Sequence, residues 1–83
     1  MNLFIVIHGM DYEFSHVQGV FSSLEKAKKY INRFSQSEGY VPEESKKFNG
    51  FYHLTRNGET IGETISIKEM VLDETEFSKY MKE

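Results

Sequence analysis

A chain of 83 residues with no cysteine is one domain with a small core, because folding at this length hides only about 60% of the surface that the unfolded chain exposes. No disulfide compensates for that, and no thiolate is available for zinc or nucleophilic catalysis, so stability rests on apolar burial, for which seven Phe and five Tyr supply material. The net charge of −3 argues against generic nucleic-acid binding, which needs a basic surface. No apolar run reaches the roughly 18 residues of a membrane span, and Leu3 to Ile7 lacks the basic flank of a signal peptide, so a soluble, unprocessed cytoplasmic protein is expected.

The charge is unevenly placed. Over residues 1–42 four acids balance four bases, whereas residues 43–83 hold nine acids and six bases. The whole excess therefore sits in the second half.

In chain order, Leu3-Phe4-Ile5-Val6-Ile7 is a continuous apolar, β-branched run, which predicts a central or doubly covered strand over 2–8. A second strand over 16–21 returns antiparallel after the segment from Gly9 to Ser15. Within that segment Met10, Tyr12 and Phe14 alternate with Asp11, Glu13 and Ser15, the pattern of an extended hairpin with one apolar side. Ser22 and Glu25 fit a capping box, and Leu24, Ala27, Tyr30, Ile31 and Phe34 then form one helical stripe over 23–37. The other side of this helix is charged, with Glu25 placed to meet Lys28 or Lys29.

Gly39 is the expected left-handed cap. Tyr40-Val41-Pro42 breaks away, and 43–49 is expected to be a solvated loop. Asn57-Gly58 marks a two-residue type I′ hairpin between strands 50–56 and 59–68, with Leu54 facing Ile61, Thr55 facing Thr60, and Gly62 at a bulge. A short helix over 74–82 would carry Phe77, Tyr80 and Met81 on one side. The expected class is α+β: a four-stranded, mostly antiparallel ββαββ sheet with one amphipathic helix on one face. Its two edges leave a homodimer through a sheet edge open.

The residues Leu3 to Ile7, Gly19-Val20-Phe21-Ser22-Ser23-Leu24-Glu25-Lys26-Ala27 and Met70-Val71-Leu72-Asp73-Glu74 resemble a loose group of small, mostly uncharacterised phage and bacterial proteins. That group pairs an apolar first strand with a Gly-Val-Phe-Ser-Ser-x-Glu-x-Ala signature. The resemblance spans about half the chain and its motifs are structural, so it supports the fold and transfers no catalytic residue. It implies an accessory protein that works by binding.

No phosphate-cradling glycine loop, His-Glu-x-x-His helix or Gly-x-Ser-x-Gly turn is present. Function is therefore expected to be non-enzymatic and without a cofactor: contact with a larger host or defence protein through Met10, Asp11, Tyr12, Glu13 and Phe14, aromatic and Met residues being enriched at interfaces. A first alternative is a nucleotide-like anion held by Lys28, Lys29 and Arg33. A second is a metal-dependent enzyme centred on His8 and His16, with Asp11 and Glu13 between them, although that spacing matches no metal motif.

Overall fold

The computed structural model describes residues 2–10 and 15–71. Five strands and one helix follow in the order β1 (Asn2–Met10), β2 (His16–Phe21), α1 (Leu24–Glu38), β3 (Val41–Glu44), β4 (Phe51–Arg56) and β5 (Glu59–Val71). The strands form one sheet in the order β2-β1-β5-β4-β3, every neighbouring pair antiparallel. The α+β class is as expected. The strand count is not.

The additional strand is β3, where the sequence predicts a break at Pro42 and a loop from Glu43. Pro42 pairs opposite Leu54 because β3 lies at the sheet edge, where a missing N–H costs no ladder bond on the solvent side. β1 runs on to Met10 and β5 to Val71, pairing with each other from Asn2↔Val71 to Met10↔Glu63. Each strand therefore outlasts its apolar segment. The predicted helix over 74–82 lies outside the described residues.

α1 is capped by Ser23, whose side chain accepts from Lys26 N–H. The cap therefore falls one residue later than the predicted Ser22, and no capping box forms. Ser22 Oγ instead accepts from Lys26 Nζ at 3.3 Å. At the other end Gly39 has φ +74°, and Gly39 and Tyr40 N–H donate to Gln36 and Ser35 carbonyls, closing the last turn with the left-handed residue that glycine adopts without strain. Asn57 and Gly58 both have positive φ, as a type I′ turn requires. Thr55 faces Thr60 as expected, but the register shifts between His53 and Thr55. Gly62, at φ +74°, lies in this bulge, so the expected Leu54–Ile61 pair does not form.

The buried line on α1 is Ala27, Ile31 and Ser35, turned slightly from the predicted stripe. Leu24 is consequently exposed, while Tyr30 and Phe34 pack half-buried on the opposite flank. Ala27 and Ile31 close over Val6, Leu54 and Ile65, the fully buried core. Ladder partners share a face, so Phe4, Val6 and His8 of β1 lie on the helix side with Glu69, Ile67 and Ile65 of β5.

Two expectations follow. Leu54→Ala, at a position with 0% exposure, is expected to cost about 3 kcal/mol in denaturant unfolding, the usual range for a cavity left by a buried leucine. Ser35 Oγ is buried without a hydrogen-bond partner among the described residues, so Ser35→Ala is expected to raise stability by about 1 kcal/mol, because an unsatisfied buried hydroxyl is removed in favour of a better helix former.

Candidate functional site

The sheet has a second face, and no described element covers it. From the register, Leu3, Ile5 and Ile7 of β1 point to it, with Val20 beside Ile5 and Val17 beside Ile7 on β2. On the other side Met70 flanks Leu3, Lys68 flanks Ile5 and Ser66 flanks Ile7, with Phe51 next to Ser66. Val17 and Val20 are 63% and 54% exposed. Phe51 extends the apolar surface toward Phe48, its ring 6.3 Å away. This face therefore carries about as many large apolar side chains as the core, a patch of the kind that marks protein contacts. Neither sheet edge invites pairing, since β3 carries Pro42 and β2 carries a bulge at Gln18, where the register shifts against β1.

A polar cluster lies where the end of α1 meets the sheet. His8, 7% exposed, donates from Nε2 to Glu63 Oε1 at 2.7 Å, and Tyr40 Oη donates to Glu63 Oε2 at 3.2 Å. Arg56 lies 4.7 Å over the Tyr40 ring and donates to the Glu38 carbonyl at 2.9 Å. Phe34 packs edge-on against His8 at 5.3 Å. One carboxylate thus joins β1, β5 and the chain leaving the helix, and a cation meets the negative helix end. Burial, followed by the charge and hydrogen bond of Glu63, raises the Tyr40 pKa above its ordinary value, with Arg56 opposing.

His8 and His16 are ladder partners, as the bracketed hairpin implies. Yet His16 is exposed, whereas His8 is buried and bonded to Glu63. Among the described residues no three His, Cys, Asp or Glu side chains group in a way that could hold a metal ion. His53 is exposed and packs edge-on against Phe51 at 5.3 Å.

Of the predicted contact residues, Met10 is exposed at the end of β1, on the helix side opposite Glu63. Asp11, Tyr12, Glu13 and Phe14 lie outside the described residues. The three predicted cations divide between the two flanks of α1. Lys28 lines a hollow of about 470 Å³ with Phe4, Leu24, Ile67, Glu44 and Glu69, a lining of mixed charge. Lys29 and Arg33 line a different hollow with Lys26, Phe21 and Tyr30. Lys29 also pairs with Glu25 at 3.5 Å, one of the two partners expected for that glutamate.

Glu63 and Tyr40 escape sequence reasoning because they are 23 residues apart and the intervening strands bring them together. The group of Lys26, Lys29 and Arg33 was accessible, since steps of three and four place them on one helical sector. Compared with known proteins, the chain matches no family model, no curated protein and no solved structure. No helix among the described residues is long and apolar enough to cross a membrane.

The Tyr40 shift has a signed consequence. Its neutral form is favoured in the folded state, so the associated stability is full below the ordinary phenol value of 10.0 and is lost as pH rises toward the folded value. Burial, followed by the Glu44 charge, raises Tyr52 as well, so spectrophotometric titration should show late-ionising tyrosines of which one is lost in Tyr40→Phe, whose unfolding free energy should fall less steeply above pH 10.0.

Proposed function

We propose that this protein is a non-enzymatic binding module that acts by direct contact with a larger protein. The observation that carries the reading is the open sheet face, where Ile5, Ile7, Val17, Val20 and Met70 are left without a covering layer among the described residues. Burying such side chains contributes roughly 25 cal/mol per Å² of apolar surface removed from water, so a complementary partner surface gains most of its affinity there. Lys68 and His53 on the same face add polar contacts that set orientation more than strength.

The His8–Glu63–Tyr40 group fits this reading as scaffold. Its side chains bond to one another, and its effect is to tie β1, β5 and the helix end into one unit behind the open face. Met10, on the helix side of β1, remains the proposed second contact together with Asp11, Tyr12, Glu13 and Phe14, which lie outside the described residues. The phage-type resemblance adds a setting, an accessory protein that inhibits or modulates a host or defence protein within the host cytoplasm.

The test replaces Val17 and Val20 with Asp. Both are exposed, so unfolding free energy is expected to change by about 0.5 kcal/mol or less at each. Affinity capture from a host lysate should lose the protein that the parent chain retains. Capture of the same protein by both chains would remove the open face from the contact surface.

A further inference from the structure

The flank of α1 that looks toward β2 combines two chemistries in one place. Lys26, Lys29 and Arg33 border a hollow of about 250 Å³ whose remaining lining is the rings of Phe21 and Tyr30. From this we infer that the hollow binds a nucleotide, its base on the two rings and its phosphate on the three cations. The inference is independent of the protein-contact reading, since the residues differ and lie on the other side of the sheet.

The platform is held in place. Phe21 and Tyr30 have centroids 5.4 Å apart and planes inclined by 39°. Tyr30 Oη donates to Gln18 Oε1 at 3.0 Å, and its other side stacks on Phe34 at 6.3 Å. Phe21 lies against Gly19, where an added Cβ would come within 2.9 Å of its ring. The absence of a side chain at Gly19 is therefore what seats the phenyl ring beside the helix. With the two planes inclined by 39°, a planar base stacks on one ring and rests against the edge of the other; the rings are already ordered, so little side-chain freedom is lost, and stacking of this kind tolerates any base.

The cations are placed for an anion. At about 1.5 Å rise per residue, Lys26, Lys29 and Arg33 are separated by about 4.5 and 6 Å along the helix axis, so one phosphate group is within reach of two of them. Arg33 makes no ion pair or hydrogen bond with the described residues. Among the described residues Lys26 Nζ reaches only the neutral Ser22 hydroxyl, at 3.3 Å. The Lys29–Glu25 pair is long, at 3.5 Å, and highly exposed on both sides, which makes it weak and easily exchanged. Arginine beside an aromatic ring is also the residue suited to forked phosphate recognition. Lys28, which the sequence grouped with Lys29 and Arg33, takes no part, and Lys26 replaces it.

The experiment titrates the full chain with AMP, adenosine, inorganic phosphate, phenyl phosphate and a ten-nucleotide oligoadenylate, following backbone amide shifts and calorimetric affinity. AMP is expected to bind about tenfold more tightly than phosphate, the contribution of stacking one base, and more tightly than adenosine, which lacks the charge the cations meet, with shifts centred on Phe21, Lys26, Lys29, Tyr30 and Arg33. Lys26→Gln with Arg33→Gln, at exposed positions, should weaken AMP about tenfold while the melting temperature holds. Gly19→Ala should weaken AMP without altering charge. An oligoadenylate that binds much more tightly than AMP assigns the site to a strand, and equal affinity assigns it to free nucleotide; both support the inference. Equal binding of AMP and phosphate, phenyl phosphate binding as well as AMP, unchanged affinity in the double variant, or shifts elsewhere would each overturn it.

Discussion

The structure depends on the closure of one helix over one face of the sheet. α1 follows β2 at one edge and leads into β3 at the other, so its axis spans the sheet; its buried line, Ala27, Ile31 and Ser35, forms the centre of the contact between layers, with Tyr30 and Phe34 packed beside it. Ala27 is fully buried, and its small side chain lets the helix approach closely enough for Ile31 to fill the space above Val6, Leu54 and Ile65. Five fully buried apolar side chains, with the half-buried rings and isoleucines packed around them, are a thin core for a chain of 83 residues. No second cluster supplements them among the described residues, so the domain has little tolerance for cavities.

A single helix across five strands also leaves territory uncovered, and the uncovered parts differ in kind. The helix end near β3 is sealed by polar groups: Glu63 bridges His8 and Tyr40, and Arg56 meets both the Tyr40 ring and the last helical carbonyls. Partial burial strengthens these bonds and makes each one necessary, since removing any partner strands a desolvated group. The flank near β2 is closed by aromatic rings with cations outside them, and the opposite flank by the mixed-charge hollow around Lys28. Beyond the sheet, the far face has only its own side chains among the described residues. Each region follows from the angle at which α1 lies.

Much of this was legible in the sequence where the signal is local. The Asn57-Gly58 turn, the Gly39 cap and the bulge at Gly62 each rest on positive-φ conformations that few residues adopt easily, and the helix is announced by its apolar spacing. β3 was not legible, because Pro42 and two glutamates argue against a strand unless the strand is known to lie at an edge, and edge position is a property of the whole sheet. The shift of the helix cap from Ser22 to Ser23 is of the same kind: both serines qualify locally, and the sheet contact of Ala27 and Ile31 chooses between them. For the candidate sites, the run from Leu3 to Ile7 announced apolar side chains on both sides of β1. It could not reveal that, among the described residues, only one side is covered. Lys28 and Lys29 are neighbours in sequence, yet Lys29 borders the hollow beside Phe21 and Tyr30 and Lys28 does not, which a list of charges hides and a helical projection reveals.

The uncovered regions lie on opposite sides of the sheet, and that separation bears on how the molecule works. Residues on the open face and residues beside α1 touch through the strands alone: Ile5 and Val20 face one way, while Phe4 and Phe21, their chain neighbours and also a ladder pair, face the other. A protein on the open face and a small anion beside the helix could therefore be held at once without competing for surface. Coupling between them would have to pass through the β1–β2 ladder at the Gln18 bulge, whose residue also anchors Tyr30. Because a bulge is a local departure from the ladder register, and the edge strand is free to twist there, it is the element on which occupancy of one side would be felt on the other.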